Sequence, residues 1–207
     1  MNFEDMGFLF PYVRFFNASP QGGSADFYIG NNLVAAGIKF GSFTDYIKTG
    51  TAPTTFKVTR AGIKTEKVCD TTLTIKTGNV CTLCVTGKPD MAELTVIEEP
   101  TIKSHMEYGH LRICNLTPEN LNLDIYANGS MILGDVNYKD ISRYIEIKPG
   151  EYELDIKSNK KKVFNCDRQK FMPGKFNTLY IIGLENENPF INTVMTTDAA
   201  SYSGFYL

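Results

Sequence analysis

Residues 12–59 read YVRFFNASPQGGSADFYIGNNLVAAGIKFGSFTDYIKTGTAPTTFKVT, and residues 110–157 read HLRICNLTPENLNLDIYANGSMILGDVNYKDISRYIEIKPGEYELDIK. Laid over each other they align without a gap. Arg14 falls on Arg112, Asn17 on Asn115, Pro20 on Pro118, Asp26 on Asp124, Tyr28 on Tyr126 and Tyr46-Ile47 on Tyr144-Ile145. Apolar character is kept where identity is not, as at Phe40/Tyr138, Phe56/Leu154 and Val58/Ile156. After a short length difference the register resumes, with Gly78 on Gly174, Thr82-Leu83 on Thr178-Leu179 and Gly87 on Gly183, and Cys69-Asp70 is matched to Cys166-Asp167. Evenly spread, ordered matches over this length indicate two copies of one module.

Each copy reads as all-β. Short β-branched and aromatic runs alternate with turn signals about every ten residues. The expected strands of the first copy are Val13-Phe16, Asp26-Ile29, Leu33-Ala35, Phe43-Ile47, Thr55-Thr59, Thr72-Ile75, Cys81-Val85 and Leu94-Ile97. The second copy repeats them at Leu111-Cys114, Leu123-Tyr126, Met131-Leu133, Ile141-Ile147, Tyr152-Ile156, Thr178-Ile182 and Ile191-Met195. Gly30-Asn31-Asn32 and Asn128-Gly129 mark hairpins at matching places, because Gly and Asn accept positive φ at low cost. No segment has a helical period. Antiparallel strands in this number close into a sandwich or barrel to bury one face. The expected organisation is an N-terminal arm (1–10), a first repeat (11–97), a linker (98–109), a second repeat (110–195) and a C-terminal tail (196–207).

Composition bounds the function. Of 207 residues, 43% are hydrophobic and 21% charged, which suits a folded protein. Lys plus Arg is 21 and Asp plus Glu is 23, so the net charge is −2 and no electrostatic footprint for nucleic acid is present. No stretch is long and apolar enough to span a bilayer as a helix. The start, MNFEDMGFLFP, lacks the positive charge and apolar length of a secretion signal. Synthesis in the cytoplasm is therefore expected, with the spore or cell surface as the destination after assembly or lysis. Five Cys, an odd number, suit a reducing compartment, and Cys81-x-x-Cys84 lies on an expected strand, where residues three apart face opposite ways.

The residues offer little for catalysis. There are two His, His105 and His110, both in or beside the linker and without a repeat partner. No nucleophile elbow, P-loop or dinucleotide fingerprint occurs, and the Cys show no zinc spacing. The chain is read as a non-enzyme with no cofactor and no metal. Arg14/Arg112, Asn17/Asn115 and Asp26/Asp124 recur, either as a duplicated ligand site or as architecture. On the architectural reading Asn sets the turn into the following Pro, and Arg14 pairs with Asp26 across neighbouring strands. Tyr46 and Tyr144 are expected mid-strand and in or near the core.

The motifs VRFFNASP, ADFYI, FGSFTDYI and FKVTRAG, followed by TLTI, TGN and a closing VTG, resemble the repeat of DUF4397, a domain of unknown function. Module two is the looser match, with LRICNLTP as its opening and Ser158-Asn159-Lys160-Lys161-Lys162 in place of the AG hairpin. The resemblance implies an immunoglobulin-like sandwich and no known activity. The Lys-, Asn- and Ile-rich composition resembles that of spore-forming Firmicutes.

The fold class expected is thus all-β, two tandem immunoglobulin-like antiparallel β-sandwich modules with extended arms. Aromatic residues are unusual in a tail that stays disordered. Phe8 and Phe10 share one face of the extended N-terminal arm. In the C-terminal tail Tyr202 and Tyr206 share one face, Phe205 and Leu207 the other. These six are the candidate assembly residues, each arm adding a strand to a neighbour's sheet edge to give a homo-oligomer or filament. The competing reading is a carbohydrate- or small-ligand-binding module, for which eleven Tyr and no Trp would have to supply the platforms.

Overall fold

A computed structural model describes residues 10–99, 107–159 and 161–202. The first module contains β1 (Tyr12–Asn17), β2 (Ala25–Ile29), β3 (Asn32–Ile38), β4 (Ile47–Lys48), β5 (Thr54–Arg60), β6 (Ile63–Leu73), β7 (Val80–Thr86) and β8 (Glu93–Glu99). The second contains β9 (Gly109–Asn115), β10 (Leu123–Ala127), β11 (Ser130–Val136), β12 (Ile145–Ile147), β13 (Gly150–Ser158), β14 (Lys161–Phe171), β15 (Phe176–Ile182) and β16 (Asn192–Thr197). No α-helix occurs among the described residues.

Each module has two four-stranded sheets, and the strand order is the same in both. Module one has β4-β1-β7-β8 and β3-β2-β5-β6; module two has β12-β9-β15-β16 and β11-β10-β13-β14. All neighbours are antiparallel except β1 with β7 and β9 with β15, which run parallel. A parallel pair needs a long crossover, and here the whole second sheet of the module serves as one. Alternate residues of the two sheets meet in one core per module. Val13, Phe15, Phe27, Phe56, Val58, Leu83 and Val85 fill the first; Leu111, Ile113, Ile125, Leu154, Ile156, Leu179 and Ile181 fill the second at repeat-equivalent places. The first core is the more aromatic, with the rings of Phe15 and Phe27 stacked at 4.7 Å.

The repeated glycines have a local cause. Gly87 and Gly183 both adopt positive φ, +88° and +95°. A Cβ on Gly87 would come within 2.5 Å of the Met91 carbonyl oxygen, and one on Gly183 would run into that of Phe190. Only glycine lets the chain turn this tightly as it leaves β7 and β15.

Several expectations are corrected. β14 was not expected, and β6 is far longer than Thr72-Ile75. Both are outer strands rich in charged residues, so the alternation that reveals a strand is muted. Phe43-Ile47 and Ile141-Ile147 shrink to the two- and three-residue β4 and β12, preceded by the single bridges Phe16–Phe43 and Cys114–Ile141. The Cys69–Cys166 match does not survive either. Cys69 lies opposite Val58, whereas Cys166 lies opposite Leu154, the counterpart of Phe56. The reason is a bulge in β6. Arg60 faces Ile63 but Thr59 faces Lys67, leaving Lys64, Thr65 and Glu66 as extra residues. β8 extends to Glu99, inside the segment read as linker. β16 and the short 3-10 turn Ala199–Ser201 carry module two into the segment read as tail.

Candidate functional site

The repeated Arg does not pair with the repeated Asp. Arg14 is on β1 and Asp26 on β2, strands of different sheets. Instead Arg14 is buried and binds Glu99, with Nη2 3.1 Å from Oε1. Its Nε donates to the Thr82 hydroxyl at 2.8 Å, and that hydroxyl donates to Glu99 Oε1 at 2.6 Å. The Tyr46 hydroxyl donates to Glu99 Oε2 at 2.6 Å, and the rings of Phe43 and Tyr46 cover the guanidinium at 4.9 and 4.8 Å. Module two repeats the arrangement. Arg112 Nε donates to the Thr178 hydroxyl at 2.9 Å, and Thr178 and Tyr144 both donate to Asp198 Oδ2. The Arg112–Asp198 separation is 3.5 Å, longer than in module one, as the shorter Asp side chain requires. Tyr46 and Tyr144 are therefore neither mid-strand nor core: each is half-buried, just ahead of β4 or β12, and tied by its hydroxyl to a buried carboxylate.

Glu99 and Asp198 were not among the expected residues. A signal existed in the acidic residues at the end of the last strand of each copy, Glu98-Glu99 and Asp198, but the loops before those strands differ in length and hide the match.

The other repeated polar residues hold backbone. Asn17 Nδ2 donates to the carbonyls of Gly23 and Ile38, and Asn115 Nδ2 to that of Val136, the repeat counterpart of Ile38. Asn115 Oδ1 also accepts the Thr117 N–H, two residues on. Asp26 accepts the N–H of Gly37 at 2.7 Å and of Gly62 at 2.9 Å. Asp124 accepts that of Asp135, the counterpart of Gly37; both receiving residues have positive φ, +66° and +59°. Each Asp thus caps a bulge between the second and third strands of its module.

All five Cys are buried thiols rather than disulfides. Cys81 packs between the two sheets, while Cys84 is fully buried on the opposite face of β7, as alternation demands. Burial pushes the Cys69, Cys81 and Cys114 thiols up to about 12, far from the nucleophilic range. His110 is buried on β9 with its ring stacked on Phe176 at 4.2 Å; His105 lies outside the described residues. Among the described residues no three His, Cys, Asp or Glu gather as a metal site. No helix among them is long and apolar enough to cross a membrane.

Of the expected assembly residues, Phe10 and Tyr202 are described and each is 44% exposed. The Lys48 ammonium sits 2.9 Å above the Phe10 ring. Phe8, Phe205, Tyr206 and Leu207 lie outside the described residues. A cavity of about 270 Å³ opens in module one beside the β6 bulge, lined by Asn17, Gln21, Arg60, Glu66, Lys67 and Asp90 among others. Two of its lining residues, Arg60 and Glu66, form an exposed ion pair at 3.2 Å.

The fold and the duplicated Arg–Thr–Tyr–carboxylate cluster define a tandem two-sheet β-sandwich protein built from two copies of one unit. The chain belongs to the family described as a domain of unknown function (DUF4397), whose pattern matches residues 11–119 and again 109–204. Among solved structures it is similar to the C-terminal domain of AlgF from P. aeruginosa. The identity is 19% over 44% of this chain and 99% of that one, with a TM-score of 0.37. No curated protein matches the sequence.

Proposed function

We propose that this protein is a non-enzymatic structural subunit that assembles with copies of itself through its terminal arms, in a filament, a surface layer or a spore envelope. The observation that carries this reading is the pair of exposed aromatic residues, Phe10 and Tyr202, at the two ends of the described chain. Each continues into a sequence rich in further aromatics. The inward use of the repeated polar residues supports it too: Arg, Asn, Asp, Thr and Tyr hold the modules together instead of facing a substrate. The test removes residues 1–9 in one variant and 203–207 in another and measures solution mass by light scattering. The second deletion must spare Asp198 and Ser201, because Ser201 binds the backbone of Phe176 through its hydroxyl. Loss of a high-mass species with an unchanged melting temperature is the expected result. A monomeric parent at high concentration overturns the reading.

A second reading, a binding module for carbohydrate or another small polar ligand, is favoured by the cavity beside the β6 bulge. The extra residues that shape it have no counterpart in module two. An Arg60→Ala, Lys67→Ala variant that loses binding to a carbohydrate held by the parent would support it.

A further inference from the structure

We propose that the edge strands β3 and β11 form a second self-association surface, pairing edge to edge with another copy of this chain. The proposal rests on the assembly reading only in its choice of partner, and it does not use the arms.

Sheet edges expose unpaired backbone groups, and proteins blunt them with short strands, charge or bulges. Among the described residues the eight edges differ in this respect. β4 and β12 are two and three residues long. β6 and β14 carry charges along their length, and β8 carries Glu93, Glu98 and Glu99. β16 is uncharged but turns Thr193 and Thr197 to Cys166 and Asn177 of its own module. β3, NLVAAGI, has no charge, and β11, SMILGDV, has only Asp135 near its end. Each presents one large apolar side chain at the same repeat position: Leu33, 51% exposed, and Met131, 59% exposed.

The hairpin geometry aims their backbone outward. Ile29 with Asn32, and Ala127 with Ser130, close two-residue turns. The closing pair of such a turn exchanges hydrogen bonds, so the next pair turns its N–H and C=O away. Those next pairs are Tyr28–Leu33 and Tyr126–Met131. The Asp26- and Asp124-capped bulges then twist the far ends of both strands, which confines the open edge to their first halves. Lys57 and Lys157, on β5 and β13, lie beyond the neighbouring strand from these edges and fold over the rings of Tyr28 and Tyr126 at 4.5 and 3.7 Å.

A second copy is the partner these edges fit. Laid antiparallel, β3 of one copy and β11 of another set Leu-Val-Ala against Met-Ile-Leu with no charge opposed. Because the duplication gives every chain both edges, a head-to-tail contact that does not close extends without limit.

The test is sedimentation velocity of the full chain over a concentration series. Leu33→Lys with Met131→Lys should weaken self-association at least tenfold while the melting temperature stays that of the parent. Leu33→Lys with Met131→Glu should restore it. The single variants L33K and M131K serve if the double variant does not fold. If the lysine variants keep the parent's mass distribution while arm deletion abolishes it, this proposal is overturned and the arm reading stands. If the lysine variants disperse the assembly and arm deletion does not, this proposal holds and the arm reading falls. A parent that is monomeric throughout overturns both.

Discussion

Glu99 and Asp198 take the same position in the two modules although the repeat alignment does not bring them together. Glu99 lies opposite Val80 on the ladder, and the Asp198 N–H donates to the carbonyl of Phe176, the repeat counterpart of Val80. From that position each carboxylate receives an Arg, a Thr and a Tyr. The cluster joins four separate parts of a module: the first strand, the segment before the short strand, the strand parallel to the first, and the end of the last strand.

Removing one partner should therefore be costly. Glu99→Ala or Asp198→Ala leaves a buried guanidinium without its counter-charge, and each should lose about 3–5 kcal/mol in urea unfolding. Replacing Arg14 by Met together with Glu99 by Leu should recover most of that loss, since no uncompensated charge then remains.

Tyr46→Phe separates the hydroxyl from the ring. The ring still covers Arg14, so the loss should be limited to one hydrogen bond to a charged acceptor, about 1.5–3 kcal/mol. Tyr46→Ala should cost more because the cover goes as well. Equal melting temperatures for the two variants would show that the ring contributes nothing.

Asp26→Ala removes the acceptor for two backbone N–H groups, those of Gly37 and Gly62. Stability should fall by about 1–3 kcal/mol for each N–H left unsatisfied in the folded state. Amide hydrogen exchange at Gly37 and Gly62 should speed up selectively.

The thiols set an alkaline limit. Cys69, Cys81 and Cys114 are raised from 9.0 to about 12, chiefly by burial. Between those values the unfolded chain loses protons that the folded chain keeps. Their contribution is complete below pH 9 and is lost as the pH rises towards 12. A Cys69→Ala, Cys81→Ala, Cys114→Ala variant should show a shallower decline in urea midpoint over that range. None of the three should react with a thiol reagent at neutral pH until the protein unfolds.

The repeat, the all-β class, most strand positions and the turns at Gly30-Asn31 and Asn128-Gly129 were legible in the residues. These are local properties: alternation, β-branching and tolerance of positive φ act over a few neighbours, and duplication doubles their signal. The turn set by Asn115 was legible for the same reason, since its Oδ1 accepts the N–H two residues on, whereas Asp26 was expected to pair with Arg14 and instead holds backbone N–H groups 11 and 36 residues away. The strands β6 and β14 were obscured because an outer strand needs little apolar surface and carries charge instead.

By itself the sequence determined two copies of one β-module, each with a buried apolar set at matched positions. Only the tertiary structure decided that the first strand runs parallel to the seventh and which carboxylate meets each buried Arg. It also decided that Cys69 and Cys166 are not equivalent. Strand register is set by backbone pairing across long sequence separations, where loops of unequal length and a bulge shift one copy against the other. An alignment that compares only residues in order does not register such a shift, whereas the hydrogen-bonded ladder does.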